Sequence, residues 1–160
     1  MSQPLEAGSP APEFTAQAVT RQAEKTISLA DYKGKSSLVL YFYPKDETPG
    51  CTAEACAFRD LSADFEAAGS AVVGVSPDTL AAHRKFVENH ALPFPLIADP
   101  DHAIAEAYGA WKEKTNYGRT YMGIERSTVV IDKDGKVAKI YPRVKVDQHA
   151  QKVLELVKGL

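Results

Sequence analysis

Residues 37–44 read Ser37-Leu38-Val39-Leu40-Tyr41-Phe42-Tyr43-Pro44, a near-continuous apolar run closed by a residue with no backbone donor. A run this apolar suits a strand covered on both faces, which places it at the centre of a sheet. A loop with Pro49 and Gly50 follows, and residues 51 to 68 then read as one helix. There Cys51, Ala55, Phe58, Leu61 and Phe65 recur at three- and four-residue spacing, with Gly69 as the stop. Ala71–Val75 is a second buried strand. Pro77-Asp78-Thr79 opens a helix to about His90, Phe94–Ala98 is a third strand, and Asp101–Tyr108 a short helix.

Upstream, Glu13-Phe14-Thr15-Ala16 reads as a short edge strand, and Thr26–Leu29 leads to a turn at Lys33-Gly34-Lys35. Downstream, Ser127–Ile131 and Lys136–Tyr141 flank Asp132-Lys133-Asp134-Gly135, a hairpin signal. An amphipathic helix runs from about Asp147 to Lys158. Strands alternate with helices and a hairpin plus helix closes the chain, so an α/β fold with a mixed sheet flanked by helices is expected. This βαβ-α-ββα order is that of a thioredoxin-like core. No repeat or Ser/Gly-rich linker divides the chain, so residues 1–160 are read as one domain.

Composition agrees with a soluble globular protein: 44% hydrophobic and 25% charged residues, with a formal net charge of -2. That balance gives no reason to expect nucleic acid or an anionic membrane as partner. No apolar run approaches the roughly 18 residues of a membrane span. Met1–Phe14 is polar and Pro-rich, without the basic start and apolar stretch of a signal peptide, and a cytoplasmic location is expected.

The two cysteines lie five positions apart. In a reducing compartment such a pair reads as redox chemistry or metal binding before it reads as a structural staple. The loop-to-helix junction puts Cys51 in the first turn of a helix, where unpaired N–H groups and the dipole favour thiolate, the nucleophilic form. Thr48 lies three residues earlier, in the same loop, and its hydroxyl can donate to or accept from a substrate oxygen. Cys56 also reads as a small packing residue beside Phe58. Five residues along an ideal helix separate two Cα atoms by ~8.5 Å, whereas a disulfide needs less than about 7 Å. A bond between these cysteines therefore requires the helix to unwind.

The stretch Pro44-x-x-x-Thr48-x-x-Cys51 resembles the active-site signature of the peroxiredoxins, and Cys51-x-x-x-x-Cys56 resembles their bacterioferritin comigratory protein, or PrxQ, branch. His83-Arg84-Lys85-Phe86, Leu92-Pro93-Phe94-Pro95-Leu96 and Tyr117–Thr128 running into Val129-Val130-Ile131-Asp132 are similar to that branch too, so the likeness spans about residues 6 to 158. The resemblance implies a thiol-dependent peroxidase acting on hydrogen peroxide and organic hydroperoxides in antioxidant defence. Cys51 would be the peroxidatic and Cys56 the resolving cysteine. Arg126 would lie against Cys51 and donate to the peroxide, Pro44 would shield the thiolate, and Thr48 would orient the substrate. Glu54 would fix Arg126 by an ion pair. The cycle would pass through a Cys51 sulfenic acid and a Cys51–Cys56 disulfide, reduced by thioredoxin, with no metal or other cofactor. With no Gly-Gly-Leu-Gly insertion, no C-terminal Tyr-Phe extension and no long terminal arm, moderate resistance to overoxidation and a monomer are expected.

Three other classes compete with this reading. A dithiol reductase would carry Cys-x-x-Cys at the helix start, two residues tighter than here, and a proline where this chain has Arg126-Ser127. A structural zinc module would need further ligands, and His83, His90, His102 and His149 make no metal spacing with the cysteines; all four read as helix-surface side chains. A scaffold or holdase role would survive Cys51→Ser. Lys112-Glu113-Lys114 reads as a solvated charge run, Asp132 and Asp134 as turn residues, and Tyr108 and Trp111 as core or pocket rim.

Overall fold

In the computed structural model, which describes residues 5–160, the central run forms β3 (Ser37–Phe42), buried at all six positions. In chain order come β1 (Thr15–Val19), β2 (Glu24–Ser28), β3, α1 (Pro49–Asp60), α2 (Ser62–Ala67), β4 (Ser70–Ser76), α3 (Leu80–His90) and β5 (Leu96–Ala98). Next are α4 (Ala103–Ala107), β6 (Trp111–Asn116), β7 (Arg119–Ile124), β8 (Ser127–Ile131), β9 (Val137–Tyr141) and α5 (His149–Lys158). Met1–Pro4, the start of the segment read as lacking a signal peptide, lies outside the described residues.

Seven strands make one mixed sheet in the order β2-β1-β5-β4-β3-β8-β9. β3 is parallel to β4 and antiparallel to β8, so both its edges are paired. Alternation along β3 divides the core. Leu38, Leu40 and Phe42 pack on one face with Val73, Val75, Ile104 and Tyr108. Val39, Tyr41 and Tyr43 face the other way, towards Phe58 of α1, Phe65 of α2, Phe86 of α3 and Val153 of α5. Helices thus cover both faces of a thioredoxin-like sheet.

Three expectations are corrected. The first strand is not an edge: Thr20 turns the chain at Ala23, and β2 pairs along the whole of β1. β2 is itself the edge, and its exposed Glu24, Lys25 and Thr26 suit a strand that must not recruit another. The helix over 51–68 is two helices. It starts earlier, at Pro49, because proline is tolerated in a first helical turn. It breaks at Leu61 (φ −102°, ψ 7°), whose N–H turns back to the Phe58 carbonyl. The charge run Lys112-Glu113-Lys114 is solvated as expected for its first two residues, yet it belongs to β6, which pairs with β7 in a separate two-stranded sheet. The turn is Tyr117-Gly118, both left-handed (φ 52° and 74°), the two-residue hairpin geometry that accommodates the strand twist. A glycine in second place was the available signal.

The loop Asp132–Gly135 turns as read, with Asp132 Oδ1 accepting from the N–H groups of Asp134 and Lys136. Tyr108 is core, and Trp111 is half-buried with its ring stacked 3.7 Å from that of His102. Among the described residues no helix is long and apolar enough to cross a membrane.

Candidate active site

β3 delivers the chain into a loop, residues 43–48, and α1 starts directly after it. Thr48 is the N-cap in extended conformation (φ −83°, ψ 153°) and its carbonyl accepts the first helical bond, from Thr52 N. Its hydroxyl does not cap the helix; it donates to the Lys45 carbonyl at 2.8 Å. Pro49, Gly50 and Cys51 are the first three helical residues, so the Cys51 side chain sits at the positive helix end. Cys51 is 2% exposed.

Arg126 immediately precedes β8. In the β3–β8 register Phe42 lies opposite Ser127, so the end of β3 and the start of β8 meet at the rim where α1 begins. The register therefore carries the Arg126 guanidinium to Cys51 across 75 residues of sequence. Its Nη2 donates to Cys51 Sγ at 3.3 Å and its Nη1 to Glu54 Oε1 at 2.7 Å. The planar fork lets one side chain serve both partners. Gly50 makes room for it: a Cβ there would lie 3.2 Å from Arg126 Nη2. Both free thiols, buried Cys51 and half-buried Cys56, are on the one intact helix α1.

Glu54 is 1% exposed and its carboxyl is pushed up to about 7 by burial, against the pull of Arg126. Oε2 has no hydrogen-bond partner among the described residues, so Arg126 compensates only half of a buried carboxylate. Beneath α1 the Tyr41 ring stacks on Phe58 at 4.8 Å, and its buried hydroxyl also lacks a partner among the described residues. Burial, reinforced by Glu54, Asp46 and Cys51, drives the Tyr41 hydroxyl far above its ordinary range and keeps it neutral. Pro44 is half-buried where β3 leaves the sheet.

Two histidines depart from the helix-surface expectation. His83 is completely buried, with Nδ1 at 2.6 Å from Asp46 Oδ2 and Nε2 at 2.9 Å from the Ile97 carbonyl. His149 is buried beside Thr128, with its ring 6.0 Å from that of Phe58. Burial, helped by Lys152 and Arg126, pushes His149 down to about 4. Asp46, Asp78 and His83 cluster, but as a hydrogen-bonded network: the Asp46 N–H and the Ser76 hydroxyl both donate to Asp78 Oδ2. Sequence reasoning missed this group. Asp46 and His83 are 37 residues apart, and nothing local marks either as a partner.

A buried cysteine at a helix start, bonded to a guanidinium, on a mixed sheet with a second thiol one turn and a half away, defines a redox-thiol protein of the thioredoxin-fold class. Comparison with known proteins narrows this. Residues 7–140 match the AhpC/TSA family. Peroxiredoxin Bcp of Bacillus subtilis (strain 168) is 52% identical over 136 residues, 85% of this chain and 86% of that protein. Xanthomonas campestris peroxiredoxin Q superimposes with a TM-score of 0.85 at 38% identity, covering 91% of this chain and 90% of that one. A second structure, of the X. campestris bacterioferritin comigratory protein, concerns that protein's alkyl peroxide reduction activity. It reaches a TM-score of 0.87 at 35% identity, with 96% of this chain and 98% of that one covered. The chain belongs to the AhpC/TSA family, as a peroxiredoxin of the Bcp/PrxQ type, and is a thiol peroxidase.

Proposed function

We propose that Cys51 is the peroxidatic residue and that Cys51 and Cys56 complete an intramolecular disulfide cycle. The observation carrying this reading is the Arg126–Cys51 contact at a helix N-terminus. The Cys51 thiolate attacks the terminal peroxide oxygen. The S–O bond forms as the O–O bond breaks, and the departing oxygen takes a proton to leave as water or alcohol. Arg126 faces the charge spreading over sulfur and oxygens in that transition state. Thr48, one turn from the sulfur, orients the peroxide by exchanging its bond to Lys45 for one to substrate. Pro44 limits water at the mouth, and Glu54 holds the second arm of Arg126.

Cys56 then attacks the sulfenic sulfur, the S–S bond forms and water leaves. The intact α1 forbids this step, because ~8.5 Å between the Cα atoms on an ideal helix exceeds the about 7 Å limit. Unwinding α1 is therefore part of the cycle. A dithiol, thioredoxin in this reading, reduces the disulfide by exchange and is itself oxidised. A monomeric cytoplasmic enzyme of antioxidant defence, acting on hydrogen peroxide and on organic hydroperoxides, fits these features.

The test is peroxide consumption with thioredoxin and its reductase. The wild type should turn over and Cys51→Ser should not. Turnover by the Cys51→Ser protein would end the proposal.

A further inference from the structure

His90, the last residue of α3, holds the chain on both sides of α1. Its imidazole Nε2 meets Glu47 Oε1 at 2.7 Å, one residue ahead of the N-cap Thr48. Its backbone carbonyl accepts from Arg59 Nη1 at 2.9 Å, in the last turn of α1. Asn89 strengthens the first contact, donating Nδ2 to Glu47 Oε2 at 2.6 Å. Glu47 is left-handed (φ 64°), a conformation that a non-glycine residue keeps only when its surroundings hold it there.

The preceding residue is held at the other end of the same helix. Asp46 binds His83, receives the Tyr43 hydroxyl on Oδ1 at 2.6 Å, and is buried. The loop that carries Thr48 is thus strapped to α3 by two consecutive carboxylates. Asp46 supplies a buried anchor and Glu47 a solvated one. The segment between the two His90 contacts contains Cys51 and Cys56, and it is the segment that must unwind for them to meet.

We propose that His90, with Glu47, Asn89 and Arg59, is a positioning pivot that tethers both ends of α1, each arm serving a different step of the cycle. The Glu47 arm keeps Thr48 in register with Cys51 and so acts on the peroxide step. The Arg59 arm closes the far end of the helix and so opposes resolution. This inference rests on the disulfide cycle proposed above.

Rapid quenching with a thiol-blocking reagent, followed by mass spectrometry, separates Cys51 oxidation from disulfide formation. His90→Phe retains the backbone carbonyl and a ring against Phe86, now 5.2 Å from the imidazole, but loses the bond to Glu47. It should slow Cys51 oxidation about fivefold and leave disulfide formation unchanged. His90→Gln, which keeps a donor, should restore most of that loss. Arg59→Met keeps the apolar stem without the donor. It should speed disulfide formation about fivefold and leave Cys51 oxidation unchanged. Changes in both steps together, in proportion to lost thermal stability, would overturn the pivot, as would no change in either. A wild type that forms no Cys51–Cys56 disulfide would sink the underlying cycle, and the pivot with it.

Discussion

Glu54 and Arg126 meet at 2.7 Å through one carboxylate oxygen, while the other oxygen of Glu54 is buried with no partner among the described residues. The pair is therefore incompletely compensated, and the consequence is a pH dependence of stability. Glu54 holds its proton up to about 7 in the folded chain, against 4.5 for the free side chain. Between those values the folded state binds more protons than the unfolded one, so stability attributable to Glu54 falls as pH rises. Relative to Glu54→Gln, the wild type should lose on the order of 3 kcal/mol between about pH 4.5 and 7. Urea denaturation of both proteins at several pH values measures this. A flat difference curve would show that Glu54 is fully compensated.

His149 acts with the opposite sign. Its buried imidazole falls to about 4 from 6.5, so the unfolded chain binds the extra proton between those values. Stability from His149 is present above about 6.5 and is lost as pH falls through that window. Against His149→Gln, the wild type should gain stability from pH 4 to 6.5. A difference curve sloping the other way would contradict a neutral buried imidazole.

Gly50→Ala should separate stability from catalysis. Alanine favours a helix by about 1 kcal/mol over glycine, so the melting temperature should hold or rise. The new methyl would stand 3.2 Å from Arg126 Nη2 and push the guanidinium off its line to Cys51. Cys51 oxidation should slow about tenfold, equivalent to about 1.4 kcal/mol of transition-state stabilisation. Stopped-flow peroxide reduction beside a thermal melt reads both quantities, and an unaltered rate would mean that Arg126 tolerates the shift.

Cys56→Ser should reduce one equivalent of peroxide and then stall with thioredoxin as reductant. Sustained turnover would exclude Cys56 as the resolving residue. In the wild type, disulfide formation should raise amide exchange across residues 51–60. Unchanged protection there would mean the cysteines pair without unwinding α1.

The legible part of this protein was local. An apolar run ending at Pro44 marked β3, because a strand with two covered faces can carry no polar alternation. The junction between the loop and Cys51 marked a helix start, two residues later than the Pro49 start of α1, and the Pro-Thr-Cys spacing marked the chemistry. The hairpin Trp111–Ile124 was overlooked because its strands are exposed and lack an apolar face, the main strand signal. The break at Leu61 was invisible because apolar spacing continues through it from Phe58 to Phe65.

Sequence alone determined which residue types stand at the mouth of α1 and that Cys51 and Cys56 are too far apart on a helix to bond. Beyond the Arg126 contacts that the family resemblance implied, tertiary structure decided which distant groups face them and how they get there. The β3–β8 register sets Arg126 against Cys51 and Glu54, and the packing of α3 sets His83 and His90 against Asp46 and Glu47. The physical reason is range. Strand burial, helix start and thiol spacing depend on neighbours a few residues away, whereas ion pairs and buried hydrogen bonds depend on which surfaces the folded sheet and helices bring together.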